Sequence, residues 1–268
     1  MSYFGPSRLM PRSYLAGLLL ANNGVDAAND IDIAAGMCRG AGDVGDIILA
    51  SALTKQLDAA WAPGTNAGMR ATGVAIANGT YHLFAIMRPD TGAVDVAADS
   101  SFTGANVAAN TNVAYTVKRR IGSILRESAA IVAFSQLGDE FVRKASVLDV
   151  AAVNPGTSAV TRTLSVPIGG QYWALLQFNA TNLGAAVSFM HHFSELDRTD
   201  EAPSWTTAPL ATTPDALSAA ASVTRANGRL AVRTNASGQI RSRAFGSDAN
   251  CTLYVATLGW IDPRGRDD

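Results

Sequence analysis

Residues 230–266, LAVRTNASGQIRSRAFGSDANCTLYVATLGWIDPRGR, predict three short strands that are joined by turns. Residues 235–238 close the first strand, and residues 246–250 close the second. Asn, Gly, Ser and Asp supply the positive φ angles and local hydrogen bonds that tight turns require. Apolar and polar residues roughly alternate along the strands, which places one face of a sheet in a core and leaves the other in water. This stretch therefore predicts β-structure.

The last of these strands differs from the others because apolar residues occupy both of its faces. Tyr254, Leu258 and Trp260 belong to this doubly apolar strand. A strand of this kind is expected to lie between two layers, so it is covered by the rest of the chain or by another subunit. We therefore expect these three residues to contribute to an assembly interface.

Arginines form a second candidate interface in the same stretch. Arg241 and Arg243 are two residues apart on one strand and share a face, and Arg233 lies on the preceding strand. The pattern predicts a row of guanidinium groups across one sheet, which would meet carboxylates of a partner subunit or an anionic sugar. The alternative is a solvated sheet face.

Composition restricts the class of protein. The chain has 268 residues, of which 48% are hydrophobic and 16% charged, so it is too apolar to be disordered. A formal net charge of −1 provides no basic excess for nucleic acid. Lysine is scarce beside arginine, which suggests surface packed into an assembly or, equally well, a bias in codon usage. No stretch approaches the ~20 apolar residues of a membrane span, and a soluble, unprocessed chain is expected.

Turn signals every eight to twelve residues predict an all-β fold with two β-sandwich-like, jelly-roll-type domains. Residues 1–13 are expected to form a detached arm that anchors the chain to a neighbour through Tyr3 and Phe4. Residues 14–153 form the predicted N-terminal β domain and residues 154–268 the C-terminal one, with the boundary at the turn sequence Asn-Pro-Gly. One short helix is predicted over residues 46–61, where Leu and Trp recur every four residues.

Two segments have the residue types of a ligand site. Residues 40–45 match the G-x-G-x-x-G pattern of dinucleotide-binding loops, but their acidic residues and the absence of strand–helix alternation favour an ordinary loop. His191 and His192, together with Glu195 and Asp197, form the densest group of possible metal ligands. Adjacent residues on a strand point to opposite faces, so the two imidazoles cannot easily share one ion. Two alternatives stay open: a weakly bound metal held by one histidine with Glu195, and two polar residues at the end of a strand. His82 is expected to be a hydrogen-bonded core or interface residue, and no cofactor is expected.

An enzyme is not predicted. The pairs Asp90 with Asp95 and Asp139 with Glu140 lie at hairpin turns, where acids are common, and nothing marks them as a catalytic pair. The two cysteines are expected to be buried thiols and not a disulfide or a zinc site. Trp173 and Trp205 lie near polar loops, and they are the candidates for stacking on sugar rings if the protein binds carbohydrate.

Six segments of the sequence carry a resemblance to known proteins. They are YLAGLLLANNGVDAANDIDIAAG (14–36), ASALTKQLDAAW (50–61), NGTYHLFAIMRPDTGAVD (78–95), RRIGSILRESAAIVAF (119–134), GDEFVRK (138–144) and ATLGWIDPRGR (256–266). These segments resemble small structural proteins from the tail or virion modules of tailed bacteriophages and prophages, and the likeness covers nearly the whole of residues 14–266.

The resemblance implies a context and no chemistry, because it contains no catalytic motif. It implies a non-enzymatic virion protein made in the bacterial cytoplasm, a β-rich tail fibre or tail-tip appendage. Such a protein would be a homotrimer that joins other virion proteins and attaches to the host. Two alternatives stay open: a carbohydrate-binding receptor-recognition module, and a head-decoration protein or head fibre.

Overall fold

A computed structural model describes residues 10–107, 114–183, 190–204 and 224–266 of the protein. These residues form strands and connecting turns, and no helix among them reaches seven residues. The predicted all-β fold class is therefore confirmed. The chain divides into a first unit, Met1–Lys144 with Asp262–Asp268, and a second unit, Ala145–Ile261.

The first unit is built from two sheets. Its strands are β1 (Leu15–Gly17), β2 (Leu20–Asn22), β3 (Asp30–Ile33), β4 (Gly36–Arg39), β5 (Asp46–Leu49), β6 (Leu53–Ala60), β7 (Ala67–Arg70), β8 (Gly79–Met87), β9 (Val94–Asp99), β10 (Val117–Glu127), β11 (Ala130–Ile131) and β12 (Phe134–Leu137). Strands β1, β4 and β5 form a small antiparallel sheet. The large sheet has the order β11-β10-β8-β9-β7-β6-β3-β2, in which β7 runs parallel to β6 and β9.

The core of the first unit lies around β8, which is buried on both faces over most of its length. Its sequence YHLFAIM is almost continuously apolar, as expected for a strand between two layers. The predicted turn at residues 89–92 joins β8 to β9, and Gly92 adopts the positive φ of 71° that the turn requires. This hairpin is confirmed.

A sharp corner distributes the first residues of the chain between the two sheets. Strands β1 and β4 pair in the small sheet, whereas β2 and β3 continue them into the large sheet. Gly17 and Gly36 face each other at the corner. A Cβ atom on Gly36 would lie 2.4 Å from the backbone nitrogen of Leu18, so the corner requires glycine there for close backbone contact.

The helix predicted over residues 46–61 is wrong, because this segment forms β5 and β6. The spacing of four between Leu53 and Leu57 places residues on one face of a helix and equally on one face of a strand. Burial at every second residue is the pattern of a strand, and Lys55 is fully buried beside Leu57 on the same face of β6. Its ammonium group lies 3.0 Å from the Asp95 carboxylate and donates to the Ala62 carbonyl at 2.7 Å.

The second unit consists of two sheets that pack face to face. The strand β13 (Glu140–Val153) enters it from the first unit and is followed by β14 (Val160–Thr163), β15 (Trp173–Asn182), β16 (His191–Ser194), β17 (Thr224–Arg233), β18 (Gln239–Ala244) and β19 (Cys251–Ile261). One sheet has the order β12-β13-β19-β15-β17, in which β12 pairs with residues 140–143 of β13, and the other has the order β14-β18-β16. Phe178 and Phe193, one from each sheet, have ring centroids 5.7 Å apart between the layers.

The three strands predicted in residues 230–266 are present, but they do not form one sheet. Strand β17 pairs with β15, β18 pairs with β14 and β16, and β19 returns to β15. Each predicted turn thus carries the chain across the sandwich. The two cysteines are buried free thiols, as predicted, and burial raises the pKa of the Cys38 thiol to about 12.

The units divide at Lys144 and Ala145, whereas the sequence predicted a boundary at Asn154. The turn at Asn154 instead lies inside the second unit, after β13. Strand β13 continues through the division without a glycine or proline, so no turn residue marks the boundary in the sequence.

The C-terminal segment also departs from the predicted organisation, because Asp262–Asp268 belongs to the first unit. The Asp262 carboxylate lies 2.6 Å from the Arg120 guanidinium, and both side chains are buried. Arg264 is 2% exposed and donates to the carbonyls of Ile121 and Gly17 at 2.7 and 3.0 Å. Burial lowers the pKa of Arg264 to about 10. Charged side chains therefore hold this segment in the interior of the first unit.

The glycine corner predicts a steep cost for one added methyl group. We expect Gly36→Ala to lower the free energy of unfolding by about 3 kcal/mol, because backbone atoms surround the new Cβ and cannot move aside. Gly24→Ala, in the loop of the same hairpin with nothing within 4 Å, is the matched control and should change it by less than about 0.5 kcal/mol. Urea titration followed by tryptophan fluorescence measures both, and equal midpoints would contradict the steric argument.

The buried ion pair predicts a comparable loss from a nearly isosteric change. Asp262→Asn removes the charge opposite Arg120 and should destabilise the protein by about 3–5 kcal/mol, because a buried guanidinium is left uncompensated. Asp90→Asn, which removes an exposed partner of Arg88, should leave the urea midpoint unchanged. A midpoint for Asp262→Asn that equals that of the control would show that the buried pair contributes nothing to stability.

Candidate functional site

The predicted row of arginines across one sheet is wrong. Arg233 lies on β17, in the sheet of β15, whereas Arg241 and Arg243 lie on β18 in the facing sheet. Successive strands were assumed to be neighbours, but the turn between β17 and β18 crosses from one sheet to the other.

The loop after β16 supplies carboxylates to these arginines. Arg233 lies 2.6 Å from Asp197, and Arg243 lies 2.8 Å from Asp200. Arg241 donates to the Arg198 carbonyl at 2.9 Å. These guanidinium groups therefore hold a loop of their own chain against the second unit, and their predicted contact with a partner subunit stays a prediction.

The G-x-G-x-x-G segment forms the connection between β4 and β5. It contains a single 3₁₀ turn, Ala41–Asp43, in place of a helix. The Arg39 guanidinium lies 2.8 Å from the Asp43 carboxylate and 2.9 Å from that of Asp46. The glycines therefore serve an antiparallel strand connection that is closed by two ion pairs.

His191 and His192 are both buried on the short strand β16. Within the described parts of the chain, no three His, Cys, Asp or Glu side chains are grouped as metal ligands. Burial is the main cause that lowers the pKa of His191 to about 4, and the Arg162 charge adds to it. Burial also lowers the pKa of His192. Both histidines are therefore neutral at pH 7, with His191 on the face of β16 that it shares with Phe193 and His192 on the opposite face.

His82 is buried on β8, where its Nδ1 lies 2.9 Å from the Ser123 hydroxyl on β10. The interpretation as a hydrogen-bonded core residue is confirmed.

The two acidic residues Asp90 and Asp95, one of the pairs considered for catalysis, have separate environments. Asp95 is buried against Lys55, and Asp90 is exposed beside Arg88.

The outer face of the β13-β19-β15-β17 sheet carries the exposed aromatic residues of the second unit's large sheet. Tyr254 on β19 is 41% exposed and Trp173 on β15 is 44% exposed. Leu258 is half-buried, whereas Trp260 is completely buried because a bulge near Leu258 turns it to the inner face. Trp260 is therefore a core residue. Tyr254, Leu258 and Trp173 keep an accessible position, while Tyr3, Phe4 and Trp205 lie outside the described residues.

A shallow groove of about 340 Å³ crosses this outer face beside Tyr254. We name it the Tyr254 groove, and its lining residues are Leu148, Gln177, Phe178, Asn179, Asn227, Tyr254 and Ala256. Tyr254 pairs with Asn179, which in turn pairs with Asn227, so these three residues form one row across three strands. An aromatic ring and three primary amides therefore lie side by side on an accessible sheet face.

Hydrogen bonds fix two of these amides. Arg229 donates to the Gln177 side-chain oxygen at 3.2 Å, and Thr181 donates to the Asn179 side-chain oxygen at 3.0 Å. Because the oxygen atoms are engaged, the NH₂ groups remain as donors to a molecule in the groove. The arrangement suits a ligand that combines an apolar face with hydrogen-bond acceptors.

The first unit contains a smaller pocket of about 210 Å³, lined by Ala41, Phe84, Phe102, Thr103, Lys118, Arg119 and Arg120. Its Arg120 guanidinium lies 4.5 Å from the Phe102 ring centroid and pairs with Asp262. The Lys118 ammonium donates to two backbone carbonyls. These two cations are therefore engaged in holding the protein together.

The amides of the groove were not identified from the sequence. Gln177 and Asn179 alternate with buried residues along β15, which marks them as outward-facing, but their grouping with Asn227 depends on the pairing of β15 with β17. Alternation therefore indicates which face a residue occupies, whereas strand order determines its neighbours.

The buried histidines predict a pH-dependent loss of stability. The unfolded chain binds a proton at His191 near pH 6.5, whereas the folded protein excludes it until about pH 4. Stability is therefore complete above pH 6.5 and falls as the pH falls toward 4. Between pH 7 and pH 5 we expect this histidine to cost about 2 kcal/mol.

His191→Phe keeps an aromatic ring beside Phe193 and removes the titrating group. Its urea midpoint should therefore decrease less from pH 7 to pH 5 than the midpoint of the wild-type protein. The wild-type protein, measured in the same buffers, is the reference. Parallel pH profiles for the two proteins would contradict the assignment.

Comparison with known proteins adds no family to these observations. No protein-family model matches the chain, and no curated protein is significantly similar to it in sequence. In the described part of the chain, no helix has the length and apolar character needed to cross a membrane.

Proposed function

We propose that this protein is a non-enzymatic structural protein of a tailed-bacteriophage virion, a tail-fibre or tail-tip appendage that assembles as a homotrimer and contacts the host surface. The proposal is supported by the likeness of its segments to virion proteins and by the place of these segments in the fold. Residues 78–95 form β8, the turn after it and the first two residues of β9, and residues 119–134 form most of β10 and all of β11. The likeness therefore follows the β framework of the first unit.

The observation that carries the proposal is that charged side chains of these segments are buried and paired inside the first unit. Arg120 and Asp262 form a buried ion pair, and Arg264 donates to buried carbonyls, so three of the charged residues in the resembling segments stabilise the interior of the first unit. These charged residues serve the packing of the first unit, which is consistent with a structural part.

The accessible face of the second unit supports the host-contact part of the proposal. An exposed tyrosine, an exposed tryptophan and three amides lie on the large sheet. Exposed aromatic residues with polar neighbours are characteristic of binding surfaces. This face favours host attachment as the role of the second unit.

Particles test the proposal directly. Virions of the phage or prophage that encodes the chain should contain it after density-gradient purification, and gold-labelled antibody against the chain should mark the tail. Label on the head would favour a head fibre. Absence of the chain from purified particles would overturn the proposal.

The predicted anchor has its own test. Deleting residues 1–13 should leave a folded oligomer, with three times the mass of the shortened chain by light scattering, that no longer enters particles. Replacing these residues with a Gly/Ser segment of equal length is the control for chain length and should also fail to enter. Normal incorporation of either variant would show that the arm is not the anchor, and a monodisperse monomer would contradict the homotrimer.

A further inference from the structure

We propose that the Tyr254 groove binds an acidic saccharide, a sugar chain that carries carboxylate or phosphate groups. The assignment depends on the proposed function for its setting, since a host-contact appendage meets surface polysaccharide. Its chemistry is argued from the second unit alone, from an aromatic ring, a set of amide donors and a positively charged edge.

The aromatic ring supplies the apolar part of the site. Tyr254 is 41% exposed, and the small side chain of Ala256, two residues along β19, leaves open space beside the ring. Leu148 on β13 forms the other apolar wall. One face of a sugar ring presents C–H groups, which pack against an aromatic ring through dispersion. The groove therefore offers a stacking surface on a rigid sheet.

The amides supply the polar part. Gln177 and Asn179 are held by their oxygen atoms, so they present NH₂ donors, and Asn227 contributes a third amide to the row. Neighbouring strands lie about 4.8 Å apart, so the row from Tyr254 to Asn227 spans about 10 Å. Sugar hydroxyls are acceptors as well as donors, and a row of this length contacts more than one ring.

Arginines on β17 determine the charge of the preferred ligand. Arg225 and Arg229 are exposed and flank Asn227 on the same face of the strand, each about 7 Å from it along the chain. Among the described residues, neither forms an ion pair, whereas Arg233 further along β17 is paired with Asp197. These two cations, which have no carboxylate partner in the part of the chain that the structure describes, lie at the rim of the groove, where they attract an anionic ligand.

A second copy of the chain is the competing occupant of this face. In a symmetric dimer the same patch meets itself. None of the residues that line the groove is acidic, so a second groove would bring its arginines and no carboxylate. The charge distribution therefore favours an acidic ligand over self-association through this face.

Binding of purified full-length protein to three polysaccharides tests the inference. Polygalacturonate carries carboxylates, phosphomannan carries phosphates, and dextran is the neutral control. We expect affinity electrophoresis and calorimetry to detect binding to at least one acidic polymer, weaker in high salt, and at least about tenfold weaker binding to dextran. The acidic polymer that binds more tightly identifies the anionic group. Failure to bind either acidic polymer, or equal binding to all three, would overturn the inference.

Point variants locate the site. Tyr254→Ala should weaken binding about tenfold or more, whereas Tyr254→Phe keeps the ring and should retain binding. Arg225→Gln combined with Arg229→Gln should reduce the affinity for the acidic polymer to that for dextran. Phe245→Ala removes an exposed aromatic of the second unit outside the groove and is the matched control. Retained binding by Tyr254→Ala, or a loss equal to that of Phe245→Ala, would place the ligand elsewhere.

Two further readouts separate the possible failures. Light scattering of Tyr254→Ala should give the wild-type oligomeric mass, and a smaller mass would assign the groove to a second copy and overturn the saccharide site. Incorporation into particles is measured independently. Protein that enters particles without binding saccharide would overturn this inference and leave the proposed function intact, whereas binding by a protein absent from particles would do the reverse.

Discussion

The first unit depends on the satisfaction of buried charges. A guanidinium in an apolar interior is costly unless its N–H groups find acceptors, so the position of each arginine restricts the backbone around it. Arg264 requires the carbonyls of Ile121 and Gly17, and Arg120 requires the Asp262 carboxylate. The segment that contains Asp262 and Arg264 must therefore lie inside the first unit, although the strand before it belongs to the second. Charge therefore joins this segment to the first unit.

The corner at Gly17 and Gly36 is linked to the same network. The carbonyl of Gly17 accepts from Arg264, so the backbone that bends between the two sheets also receives the C-terminal guanidinium. Close approach of the two glycines lets each half of the hairpin continue in a different sheet. Backbone geometry and electrostatics therefore support each other, and a change at either is expected to affect both.

Much of the β-structure could be predicted from the sequence because turn residues and alternation are local properties. The β8–β9 hairpin, the three strands near the C-terminus and the buried state of the cysteines follow from residues that are adjacent in the chain. The helix over residues 46–61 was wrong since a spacing of four fits both helix and strand, and a buried Lys55 contradicts the usual preference of lysine for water. The ion pair with Asp95 that makes this burial possible involves a residue forty positions away.

The sequence predicted the residue types of the candidate site but not which residues come together there. Exposed aromatic residues and arginines were expected to form a surface, but their grouping depends on strand order, which short-range patterns do not specify. Arg241 and Arg243 are paired with the loop after β16, whereas Arg225 and Arg229, which the sequence did not single out, lie beside the groove. Burial of Trp260 results from a bulge near Leu258 that no composition signal marks.

The outer face of the second unit carries an aromatic residue and two arginines in positions that the packing of this unit does not require. The inner face of the same sheet buries Phe178 in contact with Phe193, so the fold has the means to cover aromatic rings. Leaving Tyr254 partly exposed gives up part of the stabilisation that its full burial would bring. Placing Arg225 and Arg229 nearby, with no carboxylate partner among the described residues, concentrates positive charge there. Neither feature helps this unit fold. Both are accounted for if a ligand with an apolar face and negative charge completes the surface.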